Sequence, residues 1–192
     1  MLVGLTKKYE ITLASNSPRR KELLTKIISL FKVESKEVEE IYPNNLQGGE
    51  IATYLSQLKS KPFQPNEKEL IITADTIVIL DSLILGKPKN PEEAINMLTL
   101  LSGKKHKIIT GVTIRTKDKE LSFYDTTKVE FYNLKPDEIE HYVKEYKPFD
   151  KAGSYGIQEW IGCIGIKNMK GDYYNVMGLP IHKLYRKLKQ FI

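Results

Sequence analysis

Apolar residues recur along the chain in two rhythms that take turns from end to end, one of every second position and one of every third or fourth. Residues 10–14 read as a first strand, and Leu23, Leu24, Ile27, Ile28 and Phe31 then recur at helical spacing, which makes a strand–loop–helix unit. Residues 31–35 alternate as a short strand. Ile51, Tyr54, Leu55 and Leu58 mark a second amphipathic helix after Gly48-Gly49. Residues 70–80 form a nearly continuous apolar run, which predicts a central strand buried on both faces.

Asp81-Ser82 reads as a turn before a short strand over residues 83–85. A helix then starts with Asn90 as N-cap and Pro91 at its first position and stops at Gly103. Residues 107–116 and 120–132 alternate on either side of Lys117-Asp118-Lys119, which predicts an antiparallel hairpin. Pro136 opens a helix carrying Ile139, Tyr142, Val143 and Tyr146; residues 161–166 read as a last strand; residues 179–192 close the chain as a helix with Leu184, Tyr185 and Leu188 on its apolar side. The alternation predicts an α/β fold, a mixed twisted sheet with flanking helices. No repeat, low-complexity linker or long block of like charge divides it, so one bilobed domain over residues 1–192 is expected.

Composition narrows the class. With 192 residues, 41% hydrophobic and 28% charged, the chain can bury a core without disulfides or a structural metal. Cys163 is the lone cysteine, and His106, His141 and His182 are scattered, so neither a disulfide framework nor a zinc-type ligand cluster is expected. The N-terminal apolar stretch precedes its lysines, the reverse of an export signal, and no apolar run reaches the ~18 residues of a membrane span. A soluble, cytoplasmic protein without a membrane partner is expected. The net charge of +6 favours anionic partners without choosing among them.

The positions of the charges are more informative. Ser17 as N-cap and Pro18 at the first position would put Arg19, Arg20 and Lys21 in the opening turn of the first helix. Helix N-termini carry partial positive charge, so cations there are disfavoured, whereas the helix after Asn90 opens with Glu92 and Glu93. An incoming anion such as a phosphate would resolve that conflict, because free backbone N–H groups and guanidinium forks would converge on it; the alternative is a solvated basic turn. Asp75 is the second anomaly, a carboxylate within the most apolar strand. Buried, it must meet a cation, bind a metal or titrate high, unless it reaches solvent at a bulge. Glu37, Glu39 and Glu40 form an acidic cluster, and Lys87 sits between Gly86 and Pro88; each alone reads as surface. Residues 150–158 are small and glycine-rich and end in Gln158.

The run Leu13-Ala14-Ser15-Asn16-Ser17-Pro18-Arg19-Arg20-Lys21-Glu22-Leu23-Leu24 resembles the signature of the Maf family of nucleoside triphosphate pyrophosphatases. The blocks Ala74-Asp75-Thr76-Ile77-Val78, Gly86-Lys87-Pro88, Leu100-Leu101-Ser102-Gly103, Thr110-Gly111-Val112 and the segment from Asp150 to Gln158 follow in the family's order. The resemblance implies a mixed sheet with a deep central cleft, shared with inosine-triphosphate pyrophosphatases. It further implies cleavage between the α and β phosphates with a divalent cation, Mg²⁺ or Mn²⁺; many members are cytoplasmic homodimers. By that similarity Ser15, Arg19, Arg20, Lys59 and Lys87 would bind the triphosphate, Glu40 would help hold the metal, and Asp75 would either accept the proton or join Glu40 in holding the metal, two roles that the sequence does not separate.

Arg19, Thr76 and Gln158 match the specificity positions of the branch acting on dTTP and UTP. The Gln158 amide offers a donor beside an acceptor, which suits the O4 and N3–H of uracil or thymine. Two departures from the family pattern stand out: Glu159 where a glycine commonly follows the glutamine, and Tyr146-Lys147-Pro148-Phe149 in place of the usual Gly-Glu. The alternatives are a pyrophosphatase for 7-methyl-GTP or modified pyrimidine nucleotides, and a nucleotide-binding regulator of septum formation, the family being linked to division arrest as well as to the clearing of noncanonical nucleotides. Nucleic acid is not an expected partner, since no basic stripe is interleaved with aromatic residues.

Overall fold

The computed structural model describes residues 2–192; Met1, the first residue of the stretch weighed above as an export signal, lies outside the described residues. The elements follow the sequence pattern closely in kind. They run α1 (Val3–Lys8), β1 (Glu10–Leu13), α2 (Pro18–Thr25), β2 (Lys32–Val33), α3 (Gly49–Ser60), β3 (Glu69–Leu80), β4 (Leu83–Leu85) and α4 (Pro91–Leu101). Next come β5 (Lys105–Arg115), β6 (Glu120–Phe131), α5 (Pro136–Tyr146), α6 (Trp160–Gly165), β7 (Ile166–Lys170), α7 (Tyr173–Val176) and α8 (Ile181–Leu188). The strands make one seven-stranded mixed sheet in the order β2-β1-β3-β5-β6-β7, with β4 paired to β3.

The chain forms two compact units, one of Met1–Asp75, Thr110–Asp125 and Gly178–Ile192, the other of Thr76–Ile109 and Thr126–Met177. In the first, β1 runs parallel to both β2 and the start of β3, with α2 and α3 lying in the crossover connections that parallel pairing requires. Its core includes Leu5, Leu13, Leu24, Leu70, Ile72 and Leu184. In the second, β4 folds back antiparallel on the end of β3, and β7 runs antiparallel to β6. Leu98, Leu101, Phe131, Tyr142 and Ile161 are buried there.

Local chemistry explains several boundaries. Asn90 caps α4 by accepting the Glu93 N–H at 2.8 Å. Gly103 ends that helix region at φ 69°, and a Cβ there would fall 2.1 Å from Asn133 Oδ1. The turn between β5 and β6 closes with Thr116 N–H donating to Lys119 O at 2.8 Å. α2 stops short of Phe31, because its last turn closes over Leu23 and Leu24 and leaves Ile28 buried by a tight turn rather than a helix. The short α1 and α7 have too few residues to display a period, and the sequence pattern missed both.

One expectation fails. Residues 161–166, read as a strand, form α6 up to Gly165, and the ladder to β6 starts only at Ile166, opposite Phe131. Ile161 and Gly165 are its buried positions, one helical turn apart. Gly162 permits this seat, since a Cβ there would lie 1.9 Å from the Ile157 carbonyl oxygen. A six-residue apolar run is short enough that period alone does not separate strand from helix.

α3 lies over β3 and β5 through small and polar residues rather than a greasy stripe. Ser56 bonds Thr113 at 2.8 Å, Thr113 bonds Ser122 at 2.9 Å, and Thr73 donates to the Ser56 carbonyl at 2.6 Å. Gly111 on β5 allows the contact. A Cβ there would meet the Ala52 carbonyl oxygen at 2.1 Å and its carbon at 2.2 Å, both backbone atoms that cannot swing aside. Gly111→Ala should therefore cost about 1–3 kcal/mol or more of folding stability, read as a lower denaturant midpoint. An unchanged midpoint would show that α3 does not depend on this close approach.

In the second unit His106, 2% exposed, packs against Phe131 and Tyr155 with ring centroids 5.2 and 5.5 Å away, and its Nε2 lies 2.7 Å from the Tyr155 hydroxyl. Burial pushes its pKa from 6.5 down to about 4. The unfolded chain thus binds a proton below pH 6.5 that the folded chain refuses until about pH 4. Stability from this group is complete above pH 6.5 and falls as pH drops through that window, by about 3 kcal/mol in all. Thermal unfolding between pH 7 and pH 4 should show a steeper loss in the native chain than in His106→Phe; parallel curves would refute the assignment.

Candidate active site

The loop from β1 into α2 is held by its own hydroxyls. Ser17 caps α2 by accepting the Arg20 N–H at 3.5 Å, and the buried Ser15 Oγ accepts the Ser17 N–H at 3.2 Å. Arg20 then reaches back across the unit. Its Nη1 donates to Ser15 Oγ at 3.4 Å and to the Ala74 carbonyl at 2.8 Å, and its Nε donates to the Gly178 carbonyl at 2.8 Å. Burial lowers the Arg20 pKa, Asp75 and Glu40 oppose that shift, and the like charge of Arg19 adds to it. The expected conflict is therefore present: α2 has no acid in its first turn, and two guanidinium groups repel there. Arg20 is also a brace between the loop, β3 and Gly178, a role the sequence did not reveal.

Asp75 lies on the face of β3 that α3 covers. Alternate strand residues Thr73 and Asp75 share that face, and Ser56 and Lys59, three apart on α3, meet them in turn. Lys59 Nζ donates to Asp75 Oδ1 and lies 2.9 Å from Glu40 Oε1, so one ammonium bridges a buried carboxylate and a half-exposed one. Of the ways to keep a charge in an apolar strand, the structure takes the ion pair. Removing either partner of a pair so buried typically costs 3–5 kcal/mol. Lys59 also stands in the last turn of α3, where the helix dipole favours a cation.

Asp75 and Glu40 supply carboxylate oxygens around one cationic point. That hard donor set fits a Mg²⁺- or Mn²⁺-type ion, which takes one or two carboxylates together with substrate phosphates. The arrangement can thus gather anions with Arg19, Arg20 and Lys59 and hold a carboxylate ready to take a proton. Ser15, Arg20, Glu40, Lys59 and Asp75 come together in the first unit, with Arg19 beside them in the opening turn of α2.

The second unit carries Thr76, Lys87 and Gln158. Thr76 is half-buried, and Lys87 and Gln158 are exposed. Within it, the Gly86 carbonyl accepts the Gly153 N–H at 3.0 Å, which ties the Gly-Lys-Pro loop to the segment that ends in Gln158. Gly153 adopts φ 68° with Val78 3.0 Å from where a Cβ would be, so a side chain there would be both strained and crowded. Sequence reasoning took Tyr142 only as a patterned helix residue and passed over Lys151 and the environment of Glu159. Lys151 is 8% exposed and lies 2.8 Å from Asp150 and 3.1 Å from Glu159; Glu159 also accepts a hydrogen bond from the Tyr142 hydroxyl. A lysine two residues before a glycine turn gave no signal of burial.

A family model described as Maf-like protein matches residues 10–191. The chain is 50% identical over 193 residues to the dTTP/UTP pyrophosphatase of Bacteroides fragilis (strain YCH46), covering 99% of this chain and 100% of that one. It is 46% identical to the dTTP/UTP pyrophosphatase of Porphyromonas gingivalis (strain W83 among its strains), with 96% of each chain covered. The Ham1 protein of Staphylococcus aureus shares its fold, with a TM-score of 0.52 at 17% identity over 95% of this chain and 100% of that one. On the family match and the full-length relatives together, this chain belongs to the Maf-like protein family.

Proposed function

We propose that this protein is a nucleoside triphosphate pyrophosphatase that hydrolyses dTTP and UTP to the monophosphate and pyrophosphate. The observation that carries the reading is the buried Asp75 held by Lys59, with Glu40 on the same ammonium and Arg20 braced beside it. The full-length relatives named dTTP/UTP pyrophosphatase support the substrate class. The single exposed thiol, Cys163, supports a reducing compartment such as the cytoplasm.

A triphosphate carries about four negative charges that repel an attacking oxygen, so catalysis here is chiefly positioning and charge neutralisation. Arg19, Arg20, Lys59 and Lys87 are the cations we assign to the phosphate oxygens, with Ser15 as a hydroxyl partner. Asp75 takes the proton of the attacking water as its oxygen bonds to the α phosphorus. The bond from that phosphorus to the bridging oxygen breaks, and pyrophosphate leaves with the electron pair. Lys59 holds the Asp75 side chain in place through the ion pair until a phosphate oxygen competes for the ammonium. Glu40 and Asp75 are the residues that would hold a divalent cation, which would neutralise phosphate charge and acidify water. Thr76 and Gln158 face the base in this reading.

Incubating the protein with dTTP, UTP, CTP, GTP and 7-methyl-GTP plus Mg²⁺ or Mn²⁺ should give monophosphate and pyrophosphate, fastest from dTTP and UTP. Asp75→Asn should lower kcat by about 10²–10⁴-fold. Diphosphate plus orthophosphate would overturn the reaction, and full turnover by Asp75→Asn would overturn the role of that carboxylate.

A further inference from the structure

Glu159 occupies the position after Gln158, where the family pattern has a glycine, yet it is far from idle. Its two oxygens are used separately. Oε2 accepts the Tyr142 hydroxyl of α5, and that same hydroxyl accepts the Gly156 N–H at 3.0 Å. Oε1 meets the Lys151 ammonium at 3.1 Å and the Gln158 amide nitrogen at 3.5 Å. Burial, reinforced by Glu159, raises the Tyr142 pKa, so the phenol remains a donor. The carboxylate is thus fixed by a helix on one side and a buried lysine on the other, and the short loop from Gly156 to Glu159 is tied down at both ends.

The seat also explains Gly156. A Cβ at that position would lie 2.8 Å from Glu159 Cδ and 2.9 Å from Gln158 Nε2, so the two side chains fold back over the glycine. Gln158 is exposed, but its amide nitrogen is turned towards Glu159.

A glutamine amide unconstrained at its end can rotate by half a turn and exchange its donor for its acceptor. With the sugar and phosphates fixing the sense of the base, one orientation meets the O4 acceptor and N3–H donor of uracil or thymine. The other meets the N4 donor and N3 acceptor of cytosine equally well. Glu159 removes that symmetry. With Nε2 towards the carboxylate at 3.5 Å, one amide hydrogen is directed at Glu159, and the other hydrogen and the amide oxygen remain for a base. Rotation would turn the amide oxygen onto a carboxylate oxygen, placing two acceptors against each other.

We infer that Glu159 is a specificity-determining positioning residue: anchored by Tyr142 and Lys151, it fixes the Gln158 amide in the orientation that accepts uracil or thymine and refuses cytosine. This rests on the assignment of Gln158 to base recognition. The carboxylate is not itself offered to a base, because Tyr142 and Lys151 occupy it.

The test measures kcat/KM for UTP and CTP with the native protein, Glu159→Gln, Tyr142→Phe and Gln158→Ala, with thermal melts to verify folding. Glu159→Gln retains size but can donate or accept, so the preference for UTP over CTP should fall about ten-fold. Tyr142→Phe, which frees one oxygen of the carboxylate, should give a smaller fall in the same direction. Gln158→Ala should abolish the preference altogether. If Gln158→Ala abolishes it while Glu159→Gln and Tyr142→Phe leave it within two-fold, the positioning role is overturned and the base-reading role of Gln158 stands. If Gln158→Ala leaves the ratio unchanged, the base-reading assignment fails and this inference with it. An equal loss for both nucleotides in Glu159→Gln would mark a structural role only and would also overturn it.

Discussion

A carboxylate in the middle of the most apolar strand is the constraint around which the first unit is arranged. Asp75 is made tolerable there by Lys59, with the Arg20 guanidinium acting on it as well, and Lys59 reaches it because α3 lies directly on β3. That close approach depends on small and hydroxyl-bearing residues: Gly111 beneath Ala52, and Ser56 bonded between Thr73 and Thr113. A larger apolar side chain at any of these points would lift the helix and separate the charges. The packing of the helix and the chemistry of the site are therefore a single problem with a single solution.

The same dependence explains what the sequence displayed and what it hid. Asp75 and the Arg19-Arg20 pair were legible because each violates an elementary rule, a charge in an apolar strand and cations at a helix start. Their partners were harder to find. Lys59 is one of many lysines, and the serines and threonines that seat α3 have no period and no extreme hydropathy to betray them. The apolar residues of α3 pointed to a helix, but Tyr54 and Leu58 are only half-buried, whereas Ala52, Ser56 and Ser60 are deeply buried. A hydropathy pattern finds a helix more readily than the face by which a polar site holds it.

Element kinds were legible wherever a segment was long or had a cap, as in α4 with Asn90 and Pro91 and in the long run of β3. They failed where tertiary contacts decide. Residues 161–166 carry enough isoleucine for a strand, yet Gly162 and Gly165 let them coil against the loop and leave pairing with β6 to the less apolar residues that follow. Arg20 shows the corresponding limit at the site. Its position announced a cation for an anion, but only the folded chain shows it tied to the carbonyls of Ala74 and Gly178.

Charge in this protein divides into two populations. Pairs such as Lys32 with Glu10, Lys36 with Glu34 and Lys117 with Glu67 sit at the surface, where water screens them and their worth is small. Lys59 between Glu40 and Asp75, and Lys151 between Asp150 and Glu159, are different: each is a lysine largely withdrawn from water and flanked by two carboxylates. Each ammonium joins one carboxylate that is largely withdrawn from water to one that is about half exposed. Such a cluster persists only where its geometry is supported from several sides, as α3 supports the first and α5 the second. The surplus of basic residues in the composition does not identify these places. They are marked by the charges the fold has removed from water.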